Sequence, residues 1–228
     1  MAESCLLYYI TDRTAFGPDE PTRRRRLLEK IAEAVRAGVD YIQLREKDLP
    51  TRQLEFLARE ALTVIAKLRT ENRELRTRLL INSRTDVVLA VGADGVHLRS
   101  NDISAQEVRK IWTKCGAGTH VRELLPRSLL IGVSCHSTAE VAQARASQAD
   151  FAVFAPIFEK RSMQPAGLDL LREACQQQVA VLALGGVALG NVQSCLEAGA
   201  AGIAAIRLFQ ENEVSTIVQV LRRVESAL

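Results

Sequence analysis

The chain has 228 residues, of which 47% are hydrophobic, and a formal net charge of +3 at pH 7. This length can bury one sizeable core, so we predict a single domain over residues 1–228. The small net charge disfavours a nucleic-acid partner, and no apolar run reaches the about 18 residues of a membrane span or resembles a secretory signal, so we expect a cytoplasmic protein without a membrane partner.

Eight short apolar runs rich in Val, Ile, Leu and Ala predict β-strands. They cover residues 6–10, 41–44, 79–82, 95–98, 129–134, 151–155, 179–184 and 202–206. Segments with helical spacing follow each run, which indicates parallel βαβ units. Eight units in 228 residues leave about 28 residues per unit, close to the roughly 30 that such a unit needs. We therefore predict a closed (β/α)8 TIM barrel, with an open doubly wound sheet as the alternative.

Polar residues close most of these runs, and in a barrel of this kind the carboxyl ends of the strands share one rim. After the second run, Gln43, Arg45 and Lys47 alternate so that all three would point to the same side. The rim residues that follow the later runs are Asn82, Ser83, His97, Arg99, Asp102, Ser134, Cys135, His136, Ser137, Lys160, Arg161, Gly185, Gly186 and Arg207. The basic side chains among them predict a site for an anion.

The stretch LALGGVALGN narrows this prediction to phosphate. Gly185 and Gly186 stand between the seventh strand and a helix, where exposed backbone amides and a helix N-terminus can bind a phosphate dianion. Arg207, which we place at the end of the eighth strand, can add a charged donor to the same group. Phosphate sites recur at the seventh and eighth strands of such barrels.

Five motifs in order carry a family resemblance over nearly the whole chain. The stretches YIQLREKDL, LLINSRTDVVLAVGADGVHL, IGVSCHSTAEV, ADFAVFAPIF and LALGGV followed by AGAAGIAAI resemble the successive motifs of the thiamine phosphate synthase and thiazole tautomerase superfamily. The resemblance implies a (β/α)8 barrel and small phosphorylated substrates. Its synthase branch joins hydroxymethylpyrimidine diphosphate to thiazole phosphate with Mg2+ and releases diphosphate. Its tautomerase branch aromatises thiazole phosphate carboxylate without a metal.

Most of the synthase residues implied by this resemblance are present. The strip that contacts diphosphate and pyrimidine is intact as Gln43, Arg45 and Lys47, and the expected asparagine is Asn82. Ser134 matches the serine of the GVS motif. We assign Arg45, Lys47 and His136 as catalytic residues. The substrate- and phosphate-binding residues are Gln43, Asn82, Ser134, Lys160, Gly185, Gly186 and Arg207.

The departures from the family pattern fall on the metal and on the phosphate contacts. One of two expected metal-binding aspartates is Ser83 here, which leaves Asp102 as the expected Mg2+ ligand. The family's loop after strand six carries a threonine and a lysine, and in this chain FEKRSMQPAG stands in its place. Lys160 or Arg161 would take over the contact to the anion. Arg207 stands where the family has a phosphate-binding serine in strand eight. Mg2+ often uses one or two carboxylates plus phosphate oxygens. The loss of one aspartate at Ser83 therefore predicts metal binding that is weakened and not abolished.

Two other functions remain open, and three residues are expected to have structural roles. His136 could move protons in a tautomerase, and a barrel without turnover could persist as a thiazole phosphate-binding protein. We expect His97 to be a core histidine with a backbone partner. Cys135 should pack outward from the barrel, and Glu46 should point away from Arg45 and Lys47 and brace a neighbouring loop. Homo-oligomerisation is left open.

Overall fold

The computed structural model describes residues 5–116, 128–158 and 164–226. Within these residues, eight parallel strands close into a barrel in the order of the sequence, which confirms the predicted (β/α)8 fold. Every strand boundary lies within one residue of its prediction. The strands are β1 (Leu6–Ile10), β2 (Tyr41–Leu44), β3 (Arg78–Asn82), β4 (Gly95–Leu98), β5 (Leu130–Cys135), β6 (Phe151–Phe154), β7 (Ala180–Ala183) and β8 (Gly202–Ala205).

Helices surround the barrel and pack their apolar faces against the outer side of the strands. In the described part of the chain they are α1 (Glu20–Ala37), α2 (Thr51–Glu71), α3 (Thr85–Val91), α4 (Ala105–Gly116), α5 (Thr138–Ala146), α6 (Gly167–Cys175), α7 (Val192–Glu197), α8 (Arg207–Gln210) and α9 (Val214–Ser226). A 3-10 helix, Arg13–Phe16, follows β1. Neither this turn nor α8 was predicted, because both are too short to show a period. None of the described helices is long and apolar enough to cross a membrane.

Aromatic side chains fill the inside of the barrel below the rim. The rings of Tyr41 and Phe151 stack with their centroids 5.3 Å apart, and Tyr8 meets Phe151 edge-to-face at 5.4 Å. Leu80, Val153 and Leu182 belong to the same inner cluster. The barrel is therefore a packed core that closes the site from below, as interiors of this fold generally are.

Three aspartates at the opposite rim fasten neighbouring strands together. Asp40, Asp94 and Asp150 precede β2, β4 and β6, and their carboxylates accept the backbone N–H of the second residue of β1, β3 and β5 at 2.8, 2.8 and 2.6 Å. Each also pairs with an arginine from a helix: Arg222, Arg69 and Arg109, respectively. Asp94 and Asp150 thus serve the barrel's stability, away from the site.

Replacing Gly202 by alanine is expected to destabilise the barrel. A Cβ at this position would lie 2.1 Å from the backbone oxygen of Leu6 on the adjacent strand and 2.7 Å from the Leu182 side chain. Since the nearest obstacle is backbone, we expect a loss of about 1–3 kcal/mol in the free energy of unfolding, measured by urea denaturation. Gly190→Ala is the matched control because a Cβ there meets nothing within 4 Å. Equal stability of the two variants would contradict this packing.

Candidate active site

A cavity of about 430 Å³ opens at the rim formed by the carboxyl ends of the strands. It brings together predicted site residues from β2, β3, β5 and β7, although they are distant in sequence. The predicted residues that line it are Gln43, Arg45, Lys47, Asn82, Ser134, His136 and Gly185. The placement follows from the parallel barrel, in which all these strands end at one rim.

The floor of the cavity is a buried polar layer built on Tyr8. Gln43 Nε2 donates a hydrogen bond to the Tyr8 hydroxyl at 2.9 Å, and that hydroxyl lies 3.1 Å from His97 Nδ1. His97 Nε2 lies 2.8 Å from Ser134 Oγ. The predicted backbone partner of His97 is therefore wrong. Its ring points into the barrel, where the side chains of Tyr8 and Ser134 occupy both nitrogens.

The direction of these hydrogen bonds follows from the protonation states. Burial, with a smaller effect of Arg45, lowers the pKa of His97 to about 3, so the ring is neutral. Burial also holds the pKa of Tyr8 well above its ordinary value. Since Tyr8 accepts from Gln43, its own hydrogen is donated to His97 Nδ1, and Nε2–H is then donated to Ser134. The Ser134 hydroxyl keeps its hydrogen for a group in the cavity.

The cationic wall of the cavity consists of Arg45 and Lys47. Arg45 is half-buried, and burial lowers its pKa, partly offset by the carboxylates of Asp12 and Glu46. An arginine keeps its charge even so. Lys47 is exposed at the mouth. Glu46 points the other way and is almost fully buried, as expected from the alternation of side chains.

The second predicted subsite, the phosphate loop, lines an adjoining cavity of about 490 Å³ with Gly185, Gly186 and Arg207. Gly185 has a φ of 95°, and a Cβ there would lie 2.8 Å from Pro156, so a glycine is required on both counts. Leu184 and Gly185 line both cavities. Asp12 also lines this one, with its carboxylate accepting a hydrogen bond from the Thr14 hydroxyl at 2.6 Å.

Two details of the predicted phosphate loop were wrong. Arg207 does not end β8 but opens α8, because the strand stops at Ala205. No helix directly follows the two glycines either, since α7 begins only at Val192. The chain first makes a turn that Asn191 closes, donating to the Gly186 carbonyl at 3.0 Å and accepting from Ala188 N–H at 2.8 Å.

The expected metal ligand, Asp102, lies in the loop after β4. Its carboxylate accepts hydrogen bonds from Arg99 N–H at 2.8 Å and from Arg99 Nη2 at 2.9 Å. Burial alone would raise the pKa of Asp102, but hydrogen bonds from Arg99 and Ser83 outweigh it and hold the pKa below its ordinary value. Asp102 lines a side cavity of about 250 Å³ that shares Arg99 and Ser134 with the central one.

His136 stands at the edge of the central cavity with a fixed ring orientation. Its Nδ1 lies 2.8 Å from the Ala155 carbonyl oxygen, so Nδ1 carries a hydrogen and donates it. In the neutral ring, Nε2 is then an acceptor. The neighbouring Cys135 is buried in the outer core, as predicted, and burial raises the pKa of its thiol to about 12.

Comparison with known proteins decides the family. The profile described as thiamine monophosphate synthase matches residues 7–209, which is most of the chain. The chain belongs to the thiamine monophosphate synthase family. The resemblance drawn from the five sequence motifs is thereby confirmed.

Relatives in this family align over most of their lengths. A protein from Geobacter sulfurreducens is 40% identical over 205 residues, which are 88% of this chain and 84% of that protein. The thiamine-phosphate synthase of Syntrophomonas wolfei is 34% identical over 88% of this chain and 86% of its own. The solved structure of thiamine phosphate pyrophosphorylase from Pyrococcus furiosus is 28% identical, with a TM-score of 0.76 over 99% of this chain and 98% of the other.

Some residues of this thiamine monophosphate synthase family member bear on the site differently from the sequence predictions. Lys160 and Arg161, predicted to contact an anion, lie outside the described residues. The sequence prediction missed Thr11 and Arg13, which follow β1. Their place directly after a strand was the signal that could have found them, because the residues after every other strand were considered. Arg99 stood among the rim residues, but its pairing with Asp102 was not foreseen.

Proposed function

We propose that the protein is a thiamine phosphate synthase, which joins hydroxymethylpyrimidine diphosphate to thiazole phosphate. The observation that carries this proposal is the pairing of two adjoining cavities, one walled by Arg45 and Lys47 and the other by the glycine loop and Arg207. A reaction between two phosphorylated substrates requires two such anion subsites side by side. Family membership and the names of relatives support the same activity.

In this reaction the bond between the pyrimidine methylene carbon and the diphosphate oxygen breaks, and its electron pair leaves with diphosphate. The thiazole nitrogen then donates its lone pair to that carbon. No proton transfer is needed to form the new bond. Stabilising the charge that builds on the leaving group is therefore the main catalytic task, and we assign it to Arg45 and Lys47, with Asn82 beside them.

The polar floor suits recognition of the pyrimidine. We assign Ser134 as a hydrogen-bond donor, because His97 supplies a hydrogen to its oxygen and leaves the hydroxyl hydrogen available. Gln43 uses its Nε2 on Tyr8, so its Oε1 serves as the acceptor for the ring's amino group. The neutral His97 holds Ser134 directly, and Gln43 through the Tyr8 hydroxyl, without adding a charge beneath the substrate.

The site's chemistry fits Mg2+ shared between protein and substrate. Asp102 is ionised, and the Ser83 hydroxyl is within hydrogen-bonding reach of it, so position 83 is where a second carboxylate would meet the first. Mg2+ is commonly bound by one or two carboxylates together with phosphate oxygens and water. Asp102 would hold the ion here with the diphosphate. When bound, Mg2+ neutralises negative charge on the leaving diphosphate.

The phosphate subsite gives a prediction about Arg207. Arg207→Ala is expected to weaken binding of thiazole phosphate by about 1.5–3 kcal/mol, because it removes a charge-assisted hydrogen bond. Titration calorimetry with thiazole phosphate measures this change. Arg223→Ala, at an exposed position on α9, is the control and should leave the affinity intact. Unchanged affinity in Arg207→Ala would exclude this residue from the phosphate subsite.

The proposed activity is tested by incubating the protein with both substrates and Mg2+ and identifying the product by chromatography. Thiamine phosphate should form only when all three are present, and excess chelator should stop it. Formation that continues unchanged in chelator would refute the metal dependence. No product at any Mg2+ concentration would leave a binding protein or the tautomerase.

The orientation of His136 favours a tautomerase as the second candidate. With Nδ1–H donated to the Ala155 carbonyl, a neutral ring presents Nε2 as the base that a tautomerase needs. Its test is aromatisation of thiazole phosphate carboxylate without added metal. His136→Ala should then lower the rate by about 10² to 10⁴, whereas Ser83 and Asp102 variants should have no effect. If the protein is a synthase alone, the carboxylate is not aromatised.

Some coarser expectations complete the proposal. The substrates are small phosphorylated molecules, and we place the reaction in the cytoplasm, with neither nucleic acid nor membrane as a partner. Residues 1–228 would act as one domain. Lys160 would add a cation to the diphosphate subsite from the loop after β6.

A further inference from the structure

Glu46 occupies an unusual place between the two cations of the cavity wall. Its side chain is only 1% exposed and lies on the side of the chain opposite to Arg45 and Lys47. It accepts hydrogen bonds from the Thr11 hydroxyl at 2.5 Å and from Arg13 N–H at 3.0 Å. A buried carboxylate with contacts this specific must be fixed in position, because leaving it unpaired would be costly.

Arg13 is the charged partner in this cluster, with 3% of its side chain exposed. Its Nη1 lies 3.4 Å from Glu46 Oε2. The same guanidinium binds both oxygens of Asp48 at 2.7 and 3.0 Å, and its Nε binds Glu20 on α1. Arg13 therefore ties residues 46 and 48 of the strand-two loop to the loop after β1.

Thr11 links the cluster to Arg45 itself. Its hydroxyl oxygen accepts the backbone N–H of Arg45 at 3.0 Å, while its hydrogen is donated to Glu46. The backbone N–H of Thr11 also binds the Gln43 carbonyl at 3.0 Å. Residues 43, 45, 46 and 48 are thus all fastened to the loop after β1, on the side facing away from the cavity.

We propose that Thr11, Arg13 and Glu46 are positioning residues that hold Arg45 and Lys47 against the diphosphate. Arg45 and Lys47 both line the cavity, while Glu46 between them is buried on the opposite side, so anchoring Glu46 there turns both neighbours toward the cavity. The anchor fixes the backbone that carries the two long side chains before the substrate arrives. Less conformational entropy is then lost on binding. This assignment rests on the proposed synthase function.

The test measures diphosphate binding as well as turnover. Glu46→Ala should raise KM for hydroxymethylpyrimidine diphosphate about tenfold or more, and should weaken binding of inorganic diphosphate with Mg2+ in calorimetry by a similar factor. KM for thiazole phosphate should stay within about twofold. Glu46→Gln, which keeps the shape and can still accept from Arg13 N–H, should recover most of the affinity.

Thr11→Val and Thr11→Ser provide a second pair for the case that Glu46→Ala does not fold. Valine removes the hydroxyl that joins Arg45 to Glu46 with little change in volume, so it should raise the same KM, and serine should restore it. Glu20→Gln is the control, because it touches Arg13 from the exposed side and should leave both KM values unchanged.

The outcomes separate this inference from the proposed function. Unchanged diphosphate affinity in folded Glu46→Ala and Thr11→Val, or an equal rise of both KM values, would overturn the positioning role. Failure of the unaltered protein to make thiamine phosphate would instead overturn the synthase assignment, while the calorimetric comparison would still decide the role of Glu46.

Discussion

Arg45→Ala is expected to lower kcat/KM for hydroxymethylpyrimidine diphosphate by about 10² to 10³. The guanidinium stands at the cavity wall, where we propose that the leaving diphosphate binds and gains negative charge, and interactions that strengthen as charge develops act mainly on the transition state. Steady-state rates with thiazole phosphate held at saturation measure the effect. Arg45→Lys should recover only part of it, because an ammonium lacks the two-pronged geometry of a guanidinium.

The control for Arg45 is another arginine that shares none of its surroundings. Arg59 lies on α2, half-exposed and paired with Glu55, and Arg59→Ala should keep the rate of the unaltered protein. If Arg45→Ala retained that rate as well, the diphosphate could not be bound along the strip that follows β2.

Asp102→Ala is expected to abolish the response of the rate to Mg2+. Ser83→Asp is expected to lower the Mg2+ concentration needed for half-maximal rate. The decrease is roughly tenfold if the new carboxylate adds about 1.4 kcal/mol to Mg2+ binding. Ser83 has a φ of 60°, a conformation that aspartate tolerates better than most residues. The new side chain would stand beside Asp102, since the Ser83 hydroxyl is within hydrogen-bonding reach of it.

Titration of Mg2+ against initial rate measures both variants. Asp86→Ala serves as the control, because Asp86 is an exposed carboxylate near the same loop but paired with Arg84. A Ser83→Asp variant with the Mg2+ requirement of the unaltered protein would mean that positions 83 and 102 do not share the ion.

The sequence was sufficient to predict the barrel and the rim, for a physical reason. Eight apolar runs separated by helical spacing leave few ways to bury both faces of every strand, and closing a parallel barrel places all the carboxyl ends together. Residues such as Asn82, His136 and Gly185 were therefore placed correctly relative to one another without any knowledge of their contacts.

The contacts themselves could not be predicted. His97 and Tyr8 are 89 residues apart in sequence, and only closure of the barrel shows that a phenol, not a backbone group, satisfies the imidazole. The bond between Thr11 and Glu46 spans 35 residues in the same way. Arg207 was misplaced for a local reason, because a four-residue helix leaves no periodic pattern.

The central claim is that the two adjoining cavities bind two phosphorylated substrates, which the protein joins with loss of diphosphate. The most direct measurement counts thiamine phosphate and diphosphate in the same reaction while Mg2+ is varied. We expect the two products to appear in equal amounts, to require both substrates, and to rise together with Mg2+. Diphosphate released without thiamine phosphate, or neither product at any Mg2+ concentration, would contradict the account.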